Sequence, residues 1–284
     1  MIDNHINNKK SIKYYINQYL NSIKKNIRDK VVVDVPAGNG STSEILYNLG
    51  ANVRSFDLFP EYFMFDKIKC ERADIIKGMP INDKSVDMLI CQEGIEHFSD
   101  QLKVLKEFNR VLTKGSELLI TTPSYSNLSA KFSYMLFESE ISKKMPPNEI
   151  DDIWMSDKSI INEIYHGHIF LIGLQKLRVL GKLSGFGIKE IKYLRLSKGS
   201  VFLFPFFYPL ILIRSLLVYR RQLQRNKNIE INKKKNVYKE QLLININPAN
   251  LLNKHTFITF IKECDAGAVD FRNEEIIKNF DKTM

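Results

Sequence analysis

Apolar residues recur along the chain at spacings that predict an alternation of helices and strands. Over residues 12–23 they recur at steps of three and one, as on one face of an amphipathic helix. The β-branched run 31–33 predicts a buried strand, and a glycine-containing turn then leads into a helix over 42–49. Further strands are predicted at 52–56, 86–91, 117–121, 188–196 and 255–262, and further helices at 101–112 and 171–183. This alternation predicts an α/β fold whose parallel sheet is covered on both faces.

Two stretches break the alternation and are predicted to be insertions. Residues 123–170 predict irregular and helical structure. Residues 197–253 begin with an apolar run, 201–213, and continue into a basic segment. The Asn- and Lys-rich part of that segment, 225–239, is poor in apolar residues and is predicted to be a mobile linker.

The apolar run leaves two interpretations open. It is shorter than the roughly 20 residues that cross a bilayer, and Pro205 and Pro209 within it argue further against a crossing. Because cations follow directly, residues 201–239 are suited to attachment to an anionic membrane surface. The alternative is an inserted hairpin that packs on the body of the protein with its basic end in solvent.

The distribution of charge argues against a nucleic-acid partner. The 284 residues carry a net charge of +10, with 44% hydrophobic and 26% charged residues, so a packed core is expected and global disorder is excluded. Residues 214–239 contain nine Lys or Arg residues and one acid, and therefore supply eight of the ten positive charges. The rest of the chain is nearly neutral, without the extended basic surface that nucleic acids require.

Cysteine usage and the N-terminal residues bear on the compartment. Cys70, Cys91 and Cys264 have neither a zinc spacing nor the number that a disulfide framework needs, which favours a reducing compartment. The first ten residues contain no apolar run, so no cleavable secretion signal is expected. We therefore expect a cytoplasmic protein, peripheral at the inner face of the membrane if residues 201–239 attach there.

The turn after the first strand carries the first candidate chemistry. Gly38-Asn39-Gly40 lies between a strand and a helix, where glycines allow a ligand to approach the backbone and the helix offers free N–H groups. Asp57 ends the next strand, where a carboxylate can accept both hydroxyls of a ribose. A tight turn selected for packing and a helix cap by Asp57 are the structural alternatives. An adenosine-bearing ligand is expected, and NAD and S-adenosylmethionine (SAM) both remain open.

Motifs further along the chain resemble a known family. The segments Arg72-Ala73-Asp74-Ile75 and Ser85-Val86-Asp87-Met88-Leu89-Ile90-Cys91-Gln92-Glu93-Gly94-Ile95-Glu96-His97-Phe98 follow the glycine turn in order. Together these motifs resemble the class I SAM-dependent methyltransferases, most closely the small-molecule branch of ubiquinone and menaquinone biosynthesis. The resemblance covers about residues 10–123, and more loosely 171–196 and 255–262.

The resemblance implies an architecture and a division of the chain. The fold would be a Rossmann-like, doubly wound, seven-stranded sheet, mostly parallel with an antiparallel last strand. One methyltransferase domain would span 1–284, with its SAM-binding half at 10–122. Residues 123–170 would shape the acceptor site, and 197–253 would form an apolar and basic insertion before the last strand.

The resemblance also implies which residues hold SAM. Asp57 would accept from the ribose hydroxyls, Leu58 would pack on the adenine, and Asp74, beside Ile75, would accept from the adenine amino group. The residues near the methionine moiety would be Gly38, Asn39, Gly40 and Gln92. Asp34 would organise the loop rather than touch the ligand. One departure is Pro36, which stands where the family has a glycine and removes a possible N–H donor.

Candidate catalytic residues follow from the chemistry of methyl transfer. The sulfonium of SAM is already activated, so no metal is expected, and a base is needed only where the acceptor enters with its proton. His97, His166 and His168 are the candidates because imidazole titrates near neutral pH. Glu93 and Glu96 are alternatives that the sequence does not select. No histidine has a carboxylate at a metal-ligand spacing, so no metal site is expected.

The sequence thus predicts a SAM-dependent methyltransferase that modifies an oxygen or nitrogen of a small or lipid-linked acceptor, such as a glycan precursor or a quinone-like compound. The alternatives are nucleic-acid methylation, an NAD-dependent oxidoreductase, and a binding protein that keeps the fold without catalysis. An oxidoreductase would leave Asp74 and the 86–97 pattern unexplained. The departure at Pro36 keeps the non-catalytic alternative open.

Overall fold

Strands and helices alternate along the part of the chain that the structure describes. The structure is a computed structural model that describes residues 4–139, 141, 144–154, 165–192, 194–225 and 229–268. The strands are β1 (Val31–Asp34), β2 (Asn52–Asp57), β3 (Cys70–Arg72), β4 (Val86–Gln92), β5 (Leu112–Pro123), β6 (Ile153–Trp154), β7 (Tyr165–His166), β8 (Phe186–Ile191) and β9 (His255–Lys262). The α-helices are α1 (Ile12–Ser22), α2 (Lys24–Ile27), α3 (Ser41–Asn48), α4 (Gln101–Val111), α5 (Leu128–Phe137), α6 (Leu174–Leu183), α7 (Lys198–Gln224), α8 (Ile231–Ile246) and α9 (Pro248–Leu252).

Seven of the strands form one sheet in the order β3-β2-β1-β4-β5-β9-β8. The five strands from β3 to β5 are parallel, and β9 runs antiparallel to both β5 and β8. The predicted seven-stranded, mostly parallel sheet with an antiparallel last strand is confirmed. The short strands β6 and β7 pair with each other outside this sheet.

Apolar residues fill both faces of the sheet. On β1, Val32 and Val33 point to opposite faces because side chains alternate along a strand. Val33 joins a buried cluster with Leu89 and Phe108 of α4, whereas Val32 joins a second cluster with Leu20 of α1. The amphipathic helix predicted over 12–23 therefore covers one face of the sheet, and the helix predicted over 101–112 covers the other.

Some predicted boundaries are wrong for identifiable reasons. The strand predicted at 188–196 is Phe186–Ile191, and Leu196 instead forms an isolated bridge with Asn253. The helix predicted from residue 171 begins at Leu174, because the preceding residues form a 3₁₀ turn at His168–Phe170. Strand β3 has only three residues, too few for an apolar pattern to show.

The linker predicted at 225–239 is also wrong in its described part, because α8 begins at Ile231. Two hydrogen bonds tie α8 to α6: Arg178 donates to Glu240, and Gln175 donates to the carbonyl of Gln241. Lys234 is buried and donates to the carbonyls of Leu223 and Arg225. The polar residues that suggested a linker thus form hydrogen bonds with α6 and with the end of α7, which are brought to α8 only when the chain folds.

Helix α7 is continuous through both of its prolines. Its 27 residues would extend about 40 Å at 1.5 Å per residue. By length and composition alone it could cross a membrane, since an 18-residue window has a mean hydropathy of 2.1, and none of that window is buried. The half-buried face of α7 packs on α8 and α5, and the opposite face is exposed, so attachment of this segment to a membrane stays a prediction.

Candidate functional site at the carboxyl edge of the sheet

The carboxyl ends of the parallel strands bring most of the predicted site residues to one edge of the sheet. The glycine turn follows β1, Asp57 ends β2, Asp74 follows β3 and Gln92 ends β4. The first residue of β9 also lies at this edge, because His255 pairs with Pro123 at the end of β5. In open α/β sheets this edge is where ligands bind.

The backbone conformation of the turn after β1 requires glycine at two positions. Gly38 and Gly40 have φ of 51° and 86°, in the left-handed region that other residues rarely adopt. A Cβ at Gly40 would lie 2.9 Å from the ring of Phe63, so this ring packs directly on the turn. The residue that replaces the family's first glycine is also accommodated, since the ring of Pro36 fills the space where Gly94 has no Cβ.

Asp57 connects the glycine turn to the end of β2. Its Oδ2 accepts a 2.8 Å hydrogen bond from the N–H of Gly38, and its Oδ1 accepts a 2.9 Å bond from the N–H of Phe59. The bond to Phe59 closes a turn at the end of β2, so Asp57 has a structural role here, although it does not cap a helix. An ionised carboxylate offers about four lone-pair positions, so acceptor capacity remains for a ligand.

Asp34 lies below the turn and is fully buried. Its Oδ2 accepts a hydrogen bond from the hydroxyl of Ser43, which also contacts the hydroxyl of Ser55. The pKa of Asp34 is raised to about 7, mainly because the carboxyl is buried; the bond from Ser43 opposes the shift, and the nearby charge of Asp57 adds to it. Asp34 thus contacts the helix that follows the turn, and its role in organising the loop stays a prediction.

Three further hydrogen bonds lie on the methionine side of the predicted site. Thr42, in the first turn of α3, donates a 2.6 Å hydrogen bond to Oε1 of Gln92. Lys13 of α1 reaches Asn39 Oδ1 at 3.2 Å and Ser41 Oγ at 3.1 Å. Lys13 was not predicted, because it lies 26 residues before Asn39 and the spacing of its helix indicates only packing.

The residues predicted to surround the adenine differ in their burial and in their contacts. Asp74 is half-buried, accepts from the N–H of Ile76 and pairs with Lys77 at 3.0 Å. Leu58 is half-buried, and its carbonyl accepts from Arg72. The side chain of Ile75 is buried in the core, so only its backbone is placed to meet a ligand.

A cluster of acids and histidines lies at the same edge, beyond Gln92. Glu93 has a φ of 46°, a strained value for a residue with a side chain, and its Oε2 lies 3.5 Å from Nε2 of His255. Burial raises the pKa of Glu93, the neighbouring charge of Glu96 raises it further, and burial lowers the pKa of His255 to about 4. Burial therefore disfavours the charged form of both side chains of this pair.

The three candidate histidines lie close to one another. Nδ1 of His97 lies 2.5 Å from the carbonyl oxygen of His166, so this nitrogen carries the proton, and burial lowers the pKa of the ring. The rings of His97 and His168 have centroids 5.8 Å apart. The hydroxyl of Thr122 donates to Oε2 of the buried Glu96, while Oε1 of Glu96 has no hydrogen-bond partner.

Glu96, His97 and His168 also bring metal-type ligand atoms together. Their donor atoms lie within 4.8 Å of one another, which is the single grouping of this kind among the described residues. The sequence did not predict it, because the glutamate and His97 are adjacent and His168 comes from a distant loop. His255 was missed for the same reason, although its position as the first residue of the last strand placed it at the edge where β5 ends.

The fold and the arrangement at this edge define a class I methyltransferase architecture. Residues 33–120 match a family model described as a methyltransferase domain. Over this part the chain is similar to SAM-dependent methyltransferases of quinone biosynthesis, as the relatives below show.

Two curated relatives and one solved structure show how far the similarity extends. Demethylmenaquinone methyltransferase of Chlorobaculum tepidum is 27% identical over 42% of this chain and 51% of its own length. Ubiquinone biosynthesis O-methyltransferase of Xanthomonas campestris is 26% identical over 41% of this chain and 52% of its own length. The chain thus spans about half the length of the curated relatives it matches. A SAM-dependent methyltransferase structure from Archaeoglobus fulgidus shares the fold, with 12% identity, a TM-score of 0.50, and coverage of 88% of this chain and 94% of that one.

Proposed function

We propose that this protein transfers the methyl group of SAM to an oxygen or nitrogen of a small or lipid-linked acceptor, such as a quinone-like compound or a glycan precursor. The observation that carries the proposal is the bond between Gly38 and Asp57, which joins a left-handed glycine turn to a carboxylate at the end of the next strand. Such a pairing leaves the turn open to the methionine moiety and the carboxylate beside it for a ribose.

The proposed donor site uses residues on four loops at the carboxyl edge. Gly38, Asn39 and Gly40 meet the methionine moiety, with Gln92 held beside them by Thr42. Asp57 accepts from the ribose hydroxyls through its remaining lone pairs, and Leu58 packs on the adenine. Asp74 accepts from the adenine amino group, next to the backbone of Ile75. Asp34 acts through Ser43, as a positioning residue.

The proposed reaction is an in-line displacement. A lone pair on the acceptor oxygen or nitrogen attacks the methyl carbon, the S–CH3 bond breaks, and its electron pair stays on sulfur to leave neutral S-adenosylhomocysteine (SAH). The protein supplies alignment of the two reactants in a pocket that excludes water. An acceptor hydroxyl also loses its proton to a base.

The acid and histidine cluster is the proposed source of that base. His97, His166 and His168 remain the candidates from the sequence, and the lowered pKa of His97 keeps its ring neutral and able to accept a proton. Glu93, paired with His255, is a second candidate. The acceptor side is proposed to be formed by residues 123–170 and 197–253 of one domain.

We also propose membrane association, which does not depend on the proposed methyl transfer. The exposed face of α7 and the cations of residues 214–239 support attachment of residues 201–239 to an anionic membrane surface. The protein would then be cytoplasmic and peripheral at the inner face of the membrane, where a lipid-linked acceptor is available.

A transfer assay tests the proposal. The protein is incubated with tritium-labelled SAM and a short-chain prenylated hydroquinone, and the label is measured in the organic phase. We expect label in the methylated hydroquinone and none with the Asp57→Ala variant. No transfer to the hydroquinone or to a polyprenyl-linked sugar, by a protein that binds SAH, would contradict the proposed acceptors.

A further inference from the structure

The exposed face of α7 is a continuous apolar stripe. Phe202, Phe206, Leu210, Ile213 and Leu217 follow one another at steps of four, four, three and four residues, which places them along one side of the helix. Phe202 is 71% exposed and Leu217, at the other end of the stripe, is 53% exposed. Folded proteins rarely leave a contiguous apolar surface of this kind in water without a partner.

Helix α5 adds a second exposed apolar surface beside the N-terminal part of α7. Met135 and Leu136 of α5 are 69% and 61% exposed. The two helices are joined where they begin: the N–H of Ser129 donates to the hydroxyl of Ser200, which donates to Asn127. Gly199 permits this approach, since a Cβ there would lie 2.8 Å from the hydroxyl oxygen of Ser129.

The rings of the two helices continue the contact away from that junction. Phe132 of α5 and Phe207 of α7 have ring centroids 6.1 Å apart. Because Phe207 lies on the half-buried face of α7, this contact uses the inner face and leaves the stripe uncovered. The two exposed surfaces therefore belong to adjoining, mutually braced helices.

Cations follow the stripe along the same helix. Arg220 lies three residues after Leu217, so the apolar side of α7 ends in a basic turn, and Arg221 and Arg225 are exposed nearby. Helix α8 runs back alongside: Lys234 reaches the C-terminal carbonyls of α7, and Asn245 donates to Ser215. The exposed lysines of α8 are thereby placed beside the arginines of α7. These lysines are Lys233, Lys235 and Lys239.

The apolar stripe and the cations that follow it favour a bilayer surface as the partner of this face of α7. An apolar stripe that ends in a basic cluster matches a membrane interface, where acyl chains lie beneath anionic headgroups. A helix crossing the bilayer would carry the antiparallel, lysine-rich α8 into the apolar layer with it, at a large desolvation cost. Charge complementarity therefore favours a surface orientation on anionic lipid.

The stripe and α5 both begin at the edge of the sheet that carries the candidate site. Helix α5 follows the end of β5 after a short turn, and Ser197, before α7, donates its N–H to the carbonyl of Leu252, three residues before His255. Contact with a bilayer through both helices would bring this edge close to the lipid.

We propose that α5 and the exposed stripe of α7 together form one bilayer-docking surface, stabilised by the cations at the end of α7 and on α8. The surface reaches beyond residues 201–239, because it includes α5. It presents the carboxyl edge of the sheet to the membrane, so the acceptor is an amphiphile met at the membrane–water interface. This last step rests on the proposed methyl transfer, whereas the docking surface does not.

Depth-dependent fluorescence quenching tests the docking surface. Trp154 is the single tryptophan of the chain, so a Trp154→Phe background allows one reporter to be placed at a time. The reporters are Phe206→Trp on α7, Met135→Trp on α5, and Val179→Trp on α6 as an exposed control. With vesicles of phosphatidylcholine and phosphatidylglycerol that carry brominated acyl chains, we expect quenching and a blue shift at 206 and 135 and neither at 179.

A charge reversal tests the basic part. The unmodified protein is expected to float with these vesicles at low salt and not at high salt. The Arg220→Glu and Arg221→Glu double variant is expected not to float even at low salt. The matched control, Lys24→Glu with Lys25→Glu, makes the same charge change on α2 and is expected to float.

Several results would overturn the docking surface. Absence of quenching at 206, quenching at 206 without 135, or equal quenching at 179 would each do so, as would concentration-dependent dimers that do not bind vesicles. Stabilisation by SAH is measured on the same variants. Vesicle binding without stabilisation by SAH would contradict the proposed methyl transfer and support the docking surface. Stabilisation by SAH without vesicle binding would contradict the docking surface and leave the proposed methyl transfer intact.

Discussion

The backbone N–H of Gly38 donates a 2.8 Å hydrogen bond to Oδ2 of Asp57, so the residue that ends β2 holds the turn that follows β1. The same carboxylate accepts from the N–H of Phe59. Asp57 therefore shapes the site on which its proposed ligand would lie, and its loss should affect stability and binding together.

Replacement of Asp57 by alanine should lower stability by about 1–3 kcal/mol, since two hydrogen bonds to a charged group are lost. It should also abolish the increase in melting temperature produced by SAH. The matched control is Asp87→Ala, which removes a carboxylate that accepts from the N–H of Val31 at the opposite end of β1. The control should be destabilised similarly and still be stabilised by SAH, and loss of the SAH effect in both variants would refute a specific role for Asp57.

Replacement of Gly40 by alanine should cost more stability than replacement of Gly115. Both residues have positive φ, 86° and 82°, so both changes carry the left-handed penalty of about 1–2 kcal/mol. Only at Gly40 does the new methyl group also meet the ring of Phe63, at 2.9 Å. Urea unfolding measures the difference, and adding Phe63→Leu to Gly40→Ala should remove it. Equal losses at the two glycines would show that the ring moves aside freely.

The buried carboxyl of Asp34 should make stability depend on pH. Its pKa of about 7 in the folded protein exceeds the ordinary value of 3.8, so between these values the folded chain binds a proton that the unfolded chain lacks. Stability therefore falls as pH rises through this range and levels off above it. Because a pKa difference of 1 corresponds to about 1.4 kcal/mol, the effect is at most about 4 kcal/mol.

The Asp34→Asn variant isolates this effect. Its stability relative to the unmodified protein should rise between about pH 4 and pH 7 and stay constant above, since other groups titrate equally in both proteins. Urea unfolding at several pH values measures the difference. A difference that does not change with pH would mean that Asp34 is ionised in the folded protein.

Lys234 should hold the last turn of α7. Its ammonium group donates to the carbonyls of Leu223 and Arg225, where a helix end leaves carbonyls without partners. In Lys234→Met, amide hydrogen exchange at 221–225 should accelerate roughly 5- to 30-fold, which corresponds to 1–2 kcal/mol. Lys235→Met, at an exposed neighbour, should leave the exchange unchanged. Equal acceleration of exchange in both variants would show that the loss of a positive charge, and not the loss of the hydrogen bonds from Lys234, causes the effect.

The fold of the half that is predicted to bind SAM could be predicted from sequence because its signals are local. The run at 31–33, the glycine turn and the helix after it are adjacent in sequence, and each shows its own apolar spacing. The carboxyl ends of parallel strands then bring Asp57, Asp74 and Gln92 to one edge without further information.

The remainder depended on contacts between distant segments. Helix α8 forms where composition predicted a linker, because Glu240 pairs with Arg178 of α6. Similarly, His255 meets Glu93, more than 150 residues earlier, through the antiparallel pairing of β9 with β5. No local pattern records such pairings, which explains why the acids and histidines were named as candidates but neither their grouping nor His255 was predicted.

Calorimetric titration of the unmodified protein with SAH tests the central claim most directly, because it requires no knowledge of the acceptor. We predict binding at one site per chain, with SAM competing for that site and NAD producing no heat. A folded protein that releases no heat with either SAM or SAH, or that binds NAD equally well, would contradict the account.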